Sequence, residues 1–242
     1  MRDYLIFRLY GPMASWGDIA VGEYRPSFAH PTKSAIVGMV AASRGITRDK
    51  EAAIRDLADS YGFACRVDSP GMLLRDYHTV QVPSHRKGVI YSTRKDELSK
   101  DKLNTILSSR DYYCDALYVV CLWIRRTPAP YTLEELKAGL ERPRFPLYLG
   151  RKSCPPALPL HPQVVRSTDL RNVLEATQFA DSEDLSAIPE SPTVSFYWEE
   201  LPDAGMKPHH TIKRRDTPLN RRAWQFSERA EHYLGVSRQE ER

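Results

Sequence analysis

The sequence predicts an α+β fold: an open β-sheet with helices on one face, a long excursion that leaves it, and an irregular, β-containing C-terminal part. Apolar runs of strand length alternate with amphipathic stretches of helical spacing, and a polar segment from 83 to 110 breaks that pattern. Prolines at 143, 146, 155, 156, 159 and 162 then exclude long regular elements. With 242 residues and 41% hydrophobic content, the chain is long enough to bury a substantial core.

The first strand is expected over residues 3–9, where Tyr4, Leu5, Ile6, Phe7 and Leu9 precede the turn pair Gly11 and Pro12. Pro31 and Thr32 open a helix in which Ile36, Met39 and Val40 follow helical spacing, and Gly45 is placed to cap its end. A second helix is predicted over 49–61, because Ile54, Leu57, Ala58 and Tyr61 fall on one face before Gly62. Strands follow at 63–67 and 72–82. The run ALYVVCLWI, within 112–124, is the most strand-like segment and belongs at the centre of a sheet. Thr132 and Glu135 form the S/T-x-x-E pattern of a capping box, so a third helix is expected over 133–140. Residues 163–192 read as a loop or linker, with short strands at 193–198 and around 209–214. This order approximates a modified ferredoxin-like/RRM-like sheet. The expected organisation is thus a ferredoxin-like/RRM-like domain over 1–150 and an irregular region over 151–242 packed on it.

No stretch approaches the roughly 20 apolar residues of a membrane span. Charges at Arg2, Asp3 and Arg8 interrupt the segment that a secretion signal would keep apolar, so a cytoplasmic protein with no membrane partner is expected. Cys65, Cys114, Cys121 and Cys154 lack C-x-x-C spacing and read as reduced, mostly buried thiols. His209 and His210 are adjacent, and in a strand they point to opposite faces. Neither a metal nor a cofactor is expected.

The net charge of +4 is modest, so its distribution carries the information. Between 75 and 110, eight cations (Arg75, Arg86, Lys87, Arg94, Lys95, Lys100, Lys102, Arg110) face four acids (Asp76, Asp96, Glu97, Asp101). A second basic cluster, Arg142, Arg144, Arg151 and Lys152, brackets Phe145, Tyr148 and Gly150. A third, Lys207, Lys213, Arg214, Arg215, Arg221 and Arg222, precedes Trp224. Single-stranded RNA is gripped by cations along its phosphates and by flat side chains against unstacked bases, and these clusters supply both. Gly150 permits close approach of a ligand to the backbone beside Arg151 and Lys152. Thr32, Lys33 and Ser34 place hydroxyls and a cation at a helix start suited to a phosphate. Each cluster has a plain counter-reading as a solvated face, an ordinary N-cap or a turn glycine, and Trp16 is read as a packing residue in preference to a stacking platform.

The segments GPMASWG, PTKSAIVGMVAA with RGI, LLRDYHTV, RDYYCDALYVVCLW and RPRFPLYLGRKSCPPALPL stand here in a characteristic order and spacing. Over about residues 1–160 the chain resembles the CasD-type subunits of the type I-E CRISPR Cascade surveillance complex, a group of repeat-associated RNA-binding proteins, with a fainter echo in HHTIKRRDTP and WQF. The resemblance implies a long thumb, here about 79–110, on an RRM-like domain. It also implies that the chain holds the 5′ handle of the guide RNA (crRNA) and caps a filament of Cascade backbone subunits. The implied partners are crRNA, the backbone subunit, the large subunit and, through the complex, target DNA. Residues expected to contact RNA are Arg25, Lys33, Ser34, Arg75, His78, Arg86, Lys87, Arg110, Tyr148, Gly150, Arg151 and Lys152.

Two other functions remain open at this point. Relatives in type I-C systems cut precursor RNA without metal, and Tyr77, His78 and Lys87 supply the chemical types such cleavage needs: a base, an acid and a cation. An adaptor whose basic clusters meet acidic protein surfaces is the other. The expectation is binding without catalysis.

Overall fold

The computed structural model describes the chain except residues 86, 100–102, 180–184, 186–187, 189–190, 221–222, 224 and 239–242. Arg86 and much of the third basic cluster (Arg221, Arg222, Trp224) therefore lie outside the described residues.

The chain begins with strand β1 (Arg2–Tyr10), short strands β2 (Met13–Ala14), β3 (Trp16–Gly17), β4 (Tyr24–Arg25) and β5 (Ser27–Phe28), and helices α1 (Lys33–Ser43) and α2 (Glu51–Ser60). Strands β6 (Tyr61–Ser69) and β7 (Met72–Pro83) follow, then α3 (Arg94–Leu98), β8 (Leu103–Cys114), β9 (Leu117–Ile124) and α4 (Leu133–Glu141). The remainder holds β10 (Gln163–Ser167), α5 (Leu170–Ala176), β11 (Thr193–Trp198), β12 (His210–Asn220) and β13 (Gln225–Ser237).

One antiparallel seven-stranded sheet runs in the order β10-β1-β9-β6-β11-β13-β12. Alternation along β1 sends Leu5, Phe7 and Leu9 to a core shared with Ile36, Leu57 and Leu136 of α1, α2 and α4. Tyr4 and Ile6 point the other way, into a second core with Leu170, Val173, Phe196, Trp198 and Leu201. Burial on both faces explains why β1 and β9 read as continuous apolar runs although every pairing is antiparallel. Trp16 is 1% exposed and packs edge-on against Tyr118, a packing residue as expected.

The helices match their signals. Thr32 accepts a hydrogen bond from the Ala35 backbone N–H, Gly45 ends α1 at φ 75, and Thr132 with Glu135 closes both bonds of the capping box on α4. Three expectations need correction. The predicted strand across 112–124 is two strands, broken by Asp115 at φ 55. The loop predicted over 163–192 contains β10 and α5, the latter capped by Asp169. The strand predicted around 209–214 is the first half of a long hairpin of 11 and 13 residues. The hairpin β7–β8 pairs continuously from Met72↔Cys114 to Pro83↔Leu103, so residues 103–110 of the polar segment that broke the sequence pattern belong to a regular strand.

A buried ionic cluster ties β12–β13 to α1. Lys33 Nζ donates to Glu199 at 2.8 Å, Arg229 pairs with Asp216 at 2.7 Å, and Arg214 pairs with Glu231 at 2.7 Å. Arg229 also reaches Glu231. Burial would push the Glu231 carboxyl up, but His30, Arg229 and Arg214 around it hold it below the usual glutamate range. Burial depresses Lys33 against the pull of Glu199.

Candidate nucleic-acid interface

In an RRM, bases stack on aromatics of the exposed sheet face. That route is closed here, because Tyr4 and Trp123 are 0% exposed beneath α5 and the segment that contains Leu201 and Ala204. Four of the sequence-predicted cations, Arg25, Arg75, Arg110 and Arg151, gather instead at the root of the β7–β8 hairpin.

Strand β8 organises this site. Its inner end pairs with β7 on one edge and with β2 and the parallel strand β4 on the other. The register sets Arg110 beside both Arg25 and Asp76, with Tyr112 two residues along on the same face. Arg151 comes from the loop after α4. Its guanidinium lies 5.2 Å from the Tyr112 ring centroid, donates from Nε to Ser15 Oγ at 2.9 Å, and reaches the Arg25 carbonyl at 3.4 Å. Ser15 Oγ in turn donates to the Asp111 carbonyl at 2.9 Å. Arg25, Arg110 and Arg151 thus share one end of the hairpin; among the described residues none of them forms a direct ion pair, although Asp76 stands opposite Arg110 and the Arg151 charge acts on the Asp111 carboxyl.

The opposite face of the hairpin holds Arg75. Its Nε donates to Asp111 Oδ1 at 2.8 Å, its Nη2 to Tyr24 Oη at 2.6 Å, and the guanidinium stacks 4.8 Å from the Tyr24 ring centroid. The Arg75 hydrogen bond holds the Asp111 carboxyl below its ordinary value, and acceptance of the Tyr24 hydroxyl by Asp111 raises the Tyr24 phenol.

His78 lies two residues further along β7, with Nδ1 3.1 Å from Asp76 Oδ2. Tyr148 and Lys152 flank the loop that carries Arg151, with Lys152 exposed, and Lys87 is exposed in the turn beyond the end of β7. The second basic cluster is split. Arg144 and Phe145 bond through their backbone N–H groups to the carbonyls of Ser43 and Ala42, at the far end of α1.

Two predicted contacts, Lys33 and Gly150, are corrected by their surroundings, and Ser34 has a partner within the chain. Lys33 is 2% exposed with its ammonium committed to Glu199, so it has no surface on which to meet a phosphate. The start of α1 does hold an anion, but that anion is the chain's own Asp216, which accepts from the Lys33 backbone N–H at 2.8 Å; Ser34 beside it faces Thr32 Oγ1 at 3.2 Å. Gly150 does permit a close approach, at φ 84, but a Cβ there would stand 1.9 Å from the Ser15 carbonyl oxygen, so its partner is the Ser15 backbone. In the third cluster, Arg214 turns inward to Glu231.

Sequence reasoning missed Ser15, Tyr24, Asp111 and Tyr112. The strand alternation that puts Arg110 and Tyr112 on one face was present in RDYYC, whereas the pairing of Tyr24 with β8 depends on a contact 85 positions away and left no local signal.

The three groups considered for catalysis do not converge. Tyr77 and His78 are neighbours in β7 and point to opposite faces, and Lys87 lies past Pro83, where the strand ends. Among the described residues no group of three or more His, Cys, Asp or Glu is placed to hold a metal ion. No described helix is long and apolar enough to cross a membrane. The cysteines are free, and burial pushes the Cys65 and Cys121 thiols well up.

Comparison with known proteins bears on this geometry. The Escherichia coli (strain K12) protein "CRISPR system Cascade subunit CasD" is 36% identical over 183 residues, covering 72% of this chain and 76% of that one. A solved "CRISPR RNA-guided surveillance complex" contains a chain that superposes with a TM-score of 0.65 at 23% identity, covering 97% of this chain and 90% of that one. A "Crystal structure of Cas protein" superposes at 0.60 with 24% identity, covering 98% and 96%. The family model described as "CRISPR-associated protein (Cas_Cas5)" matches residues 4–230. With the model spanning both cores and the hairpin between them, this chain belongs to the CRISPR-associated protein (Cas_Cas5) family.

Proposed function

We propose that the chain is a CRISPR Cascade subunit that binds single-stranded RNA, holding the 5′ handle of crRNA and capping the filament of backbone subunits, without cutting the RNA. The observation that carries this reading is the gathering of Arg25, Arg110 and Arg151 at the root of a long hairpin, where among the described residues none of them forms a direct ion pair. Likeness to a protein named as a Cascade subunit supports the assembly. The strand order β10-β1-β9-β6, with α1–α2 and α4 as crossovers, supports a modified ferredoxin-like/RRM-like domain whose fourth strand is β10, so that it runs past the expected boundary at 150 to about residue 167. The rest of the C-terminal region then extends it, and the β7–β8 hairpin is the thumb. Partners under this reading are crRNA, the backbone and large subunits, and target DNA through the complex, in the cytoplasm. Arg25, Arg75, His78, Arg86, Lys87, Arg110, Tyr148, Arg151 and Lys152 are the RNA contacts.

Binding of a repeat-derived RNA, measured over a salt series, tests this. Charge reversal at Arg110 or Arg151 is expected to weaken binding and to lower the slope of log affinity against log salt by about 0.7 per lost phosphate contact. A wild-type chain with no salt-sensitive affinity would point to the protein adaptor instead.

One observation favours cleavage as a second reading: Asp76 beside His78 is the carboxylate that orients an imidazole in many general bases. Incubation of the pure protein with repeat RNA in EDTA decides it. Specific cleavage that disappears in His78→Ala would establish an endoribonuclease, and intact RNA is the expected result.

A further inference from the structure

Ser15 touches three consecutive residues of the loop after α4. Its backbone N–H donates to the Leu149 carbonyl at 3.0 Å, its carbonyl lies against Gly150, and its hydroxyl accepts from Arg151 Nε at 2.9 Å. The same hydroxyl donates to the Asp111 carbonyl at 2.9 Å. A guanidinium can only donate and a carbonyl can only accept, so the polarity of the chain is fixed: Arg151 donates to Ser15, and Ser15 donates to β8. Ser15 is 1% exposed, which keeps competing water away from both bonds.

A guanidinium presents two forks of N–H groups, a side edge of Nε and Nη2 and an end edge of Nη1 and Nη2. In Arg151 the side edge is occupied, Nε by Ser15 and Nη2 by a long contact to the Arg25 carbonyl at 3.4 Å, and the plane lies 5.2 Å from the Tyr112 ring centroid. The end edge remains, and its parallel N–H groups match two oxygens of one phosphate. The kind of anchor matters as much as its position. Arg75 is fixed by the Asp111 carboxylate, which cancels its charge where it sits. Arg151 is fixed by a neutral hydroxyl backed by a neutral carbonyl, so it is held in place without a direct ion pair among the described residues. An arginine already in place gives up less side-chain freedom when a phosphate arrives.

We propose that Ser15 is a positioning residue for RNA binding, which holds Arg151 by the side edge of its guanidinium and so presents the end edge to a backbone phosphate. The proposal rests on the RNA-binding reading above and adds to it the residue that orients one of the cations. Ser15 itself touches no RNA and acts through Arg151. Its backbone bond to Leu149 and the pairing of Met13 and Ala14 with β8 do not depend on its side chain. Loss of the hydroxyl therefore frees the guanidinium while the loop stays where it is.

The test measures the affinity of the full-length chain for a repeat-derived RNA over a salt series, in the wild type, Ser15→Ala, Arg151→Ala and the double variant. Ser15→Ala is expected to weaken binding by about 2- to 12-fold, the cost of immobilising one arginine side chain on the ligand, with the salt slope unchanged because Arg151 still reaches its phosphate. Arg151→Ala is expected to weaken binding and to lower the slope by about 0.7, and Ser15→Ala added to it is expected to cost nothing more. Arg151→Lys leaves Ser15 and the backbone untouched but removes Nε and the fork, so it keeps the test decisive should Ser15→Ala fail to fold. It is expected to keep the slope and to lose at least as much affinity as Ser15→Ala. If Ser15→Ala costs as much affinity in the Arg151→Ala background as in the wild type, or costs none in the wild type, Ser15 serves the fold alone and the proposal is overturned. If wild-type binding is salt-dependent but Arg151→Ala and Arg151→Lys leave it unchanged, the proposal is overturned and the other cations stand. If the wild-type chain binds no RNA, the functional reading itself fails and takes the proposal with it.

Discussion

Gly150 shows how a correct local signal can have the wrong partner. Its positive φ was legible as a glycine requirement in LYLGRKS, but what approaches it is the Ser15 carbonyl, which sets the height at which Arg151 meets Ser15 and Tyr112. Gly150→Ala is expected to lower stability by about 1–3 kcal/mol through backbone strain, with a larger loss where the clash forces the loop away. A urea melt of the variant checks it, and an unchanged midpoint would show that the loop yields at no cost. Asp111 carries a second prediction. It anchors Arg75 and Tyr24 together, and because its folded pKa is depressed, that anchorage is fully present above the ordinary carboxylate range and is lost as pH falls through the folded value. Asp111→Asn is expected to reproduce at neutral pH the loosened site that acid produces in the wild type, seen as increased quenching of Tyr24 fluorescence by added iodide in both cases.

At the scale of elements, the signals with local chemistry were read well. The capping box of α4 was visible as Thr132 and Glu135, and both of its hydrogen bonds are present. Thr132→Ala is expected to cost about 1 kcal/mol, read as a lower thermal midpoint, since the Glu135 backbone N–H loses its acceptor. The strands β1, β6 and β11 were equally legible from their apolar runs. The β12–β13 hairpin was legible only as a short strand around 209–214, and the reason is physical. Beyond that stretch the pattern is broken by charged residues such as Asp216, Arg229 and Glu231, yet each finds an opposite charge across the pair or on a neighbouring element. A sequence window sees charge but not the partner that makes its burial tolerable.

Across the whole molecule, the buried ionic cluster is what joins the later strands to α1, because Glu199 just beyond β11 and Asp216 of β12 both end on Lys33. Removal of one member leaves the others charged and unpaired, so Glu199→Ala is expected to destabilise the protein by about 3–5 kcal/mol. The Glu231 carboxyl is held low in the folded state, so its contribution is present above the ordinary glutamate range and is lost as pH falls towards its folded value. Acid unfolding followed by circular dichroism is expected to be less steep in Glu231→Gln, which starts from a lower neutral stability. This same cluster explains why Lys33 could not be placed from its motif: a lysine at a helix start beside hydroxyls resembles an anion site, and only the distant carboxylates show that the site is already filled. The four-arginine root of the hairpin was legible as residues but not as a place, since Arg25, Arg75, Arg110 and Arg151 come from four separate segments. The central claim is that this place grips the 5′ end of a guide RNA. Photo-crosslinking of the wild-type protein to guide RNAs labelled one nucleotide at a time tests it most directly: adducts are expected at handle nucleotides and on peptides from β4, β7, β8 and the Arg151 loop, whereas adducts at the 3′ end, or on β12–β13 alone, would contradict it.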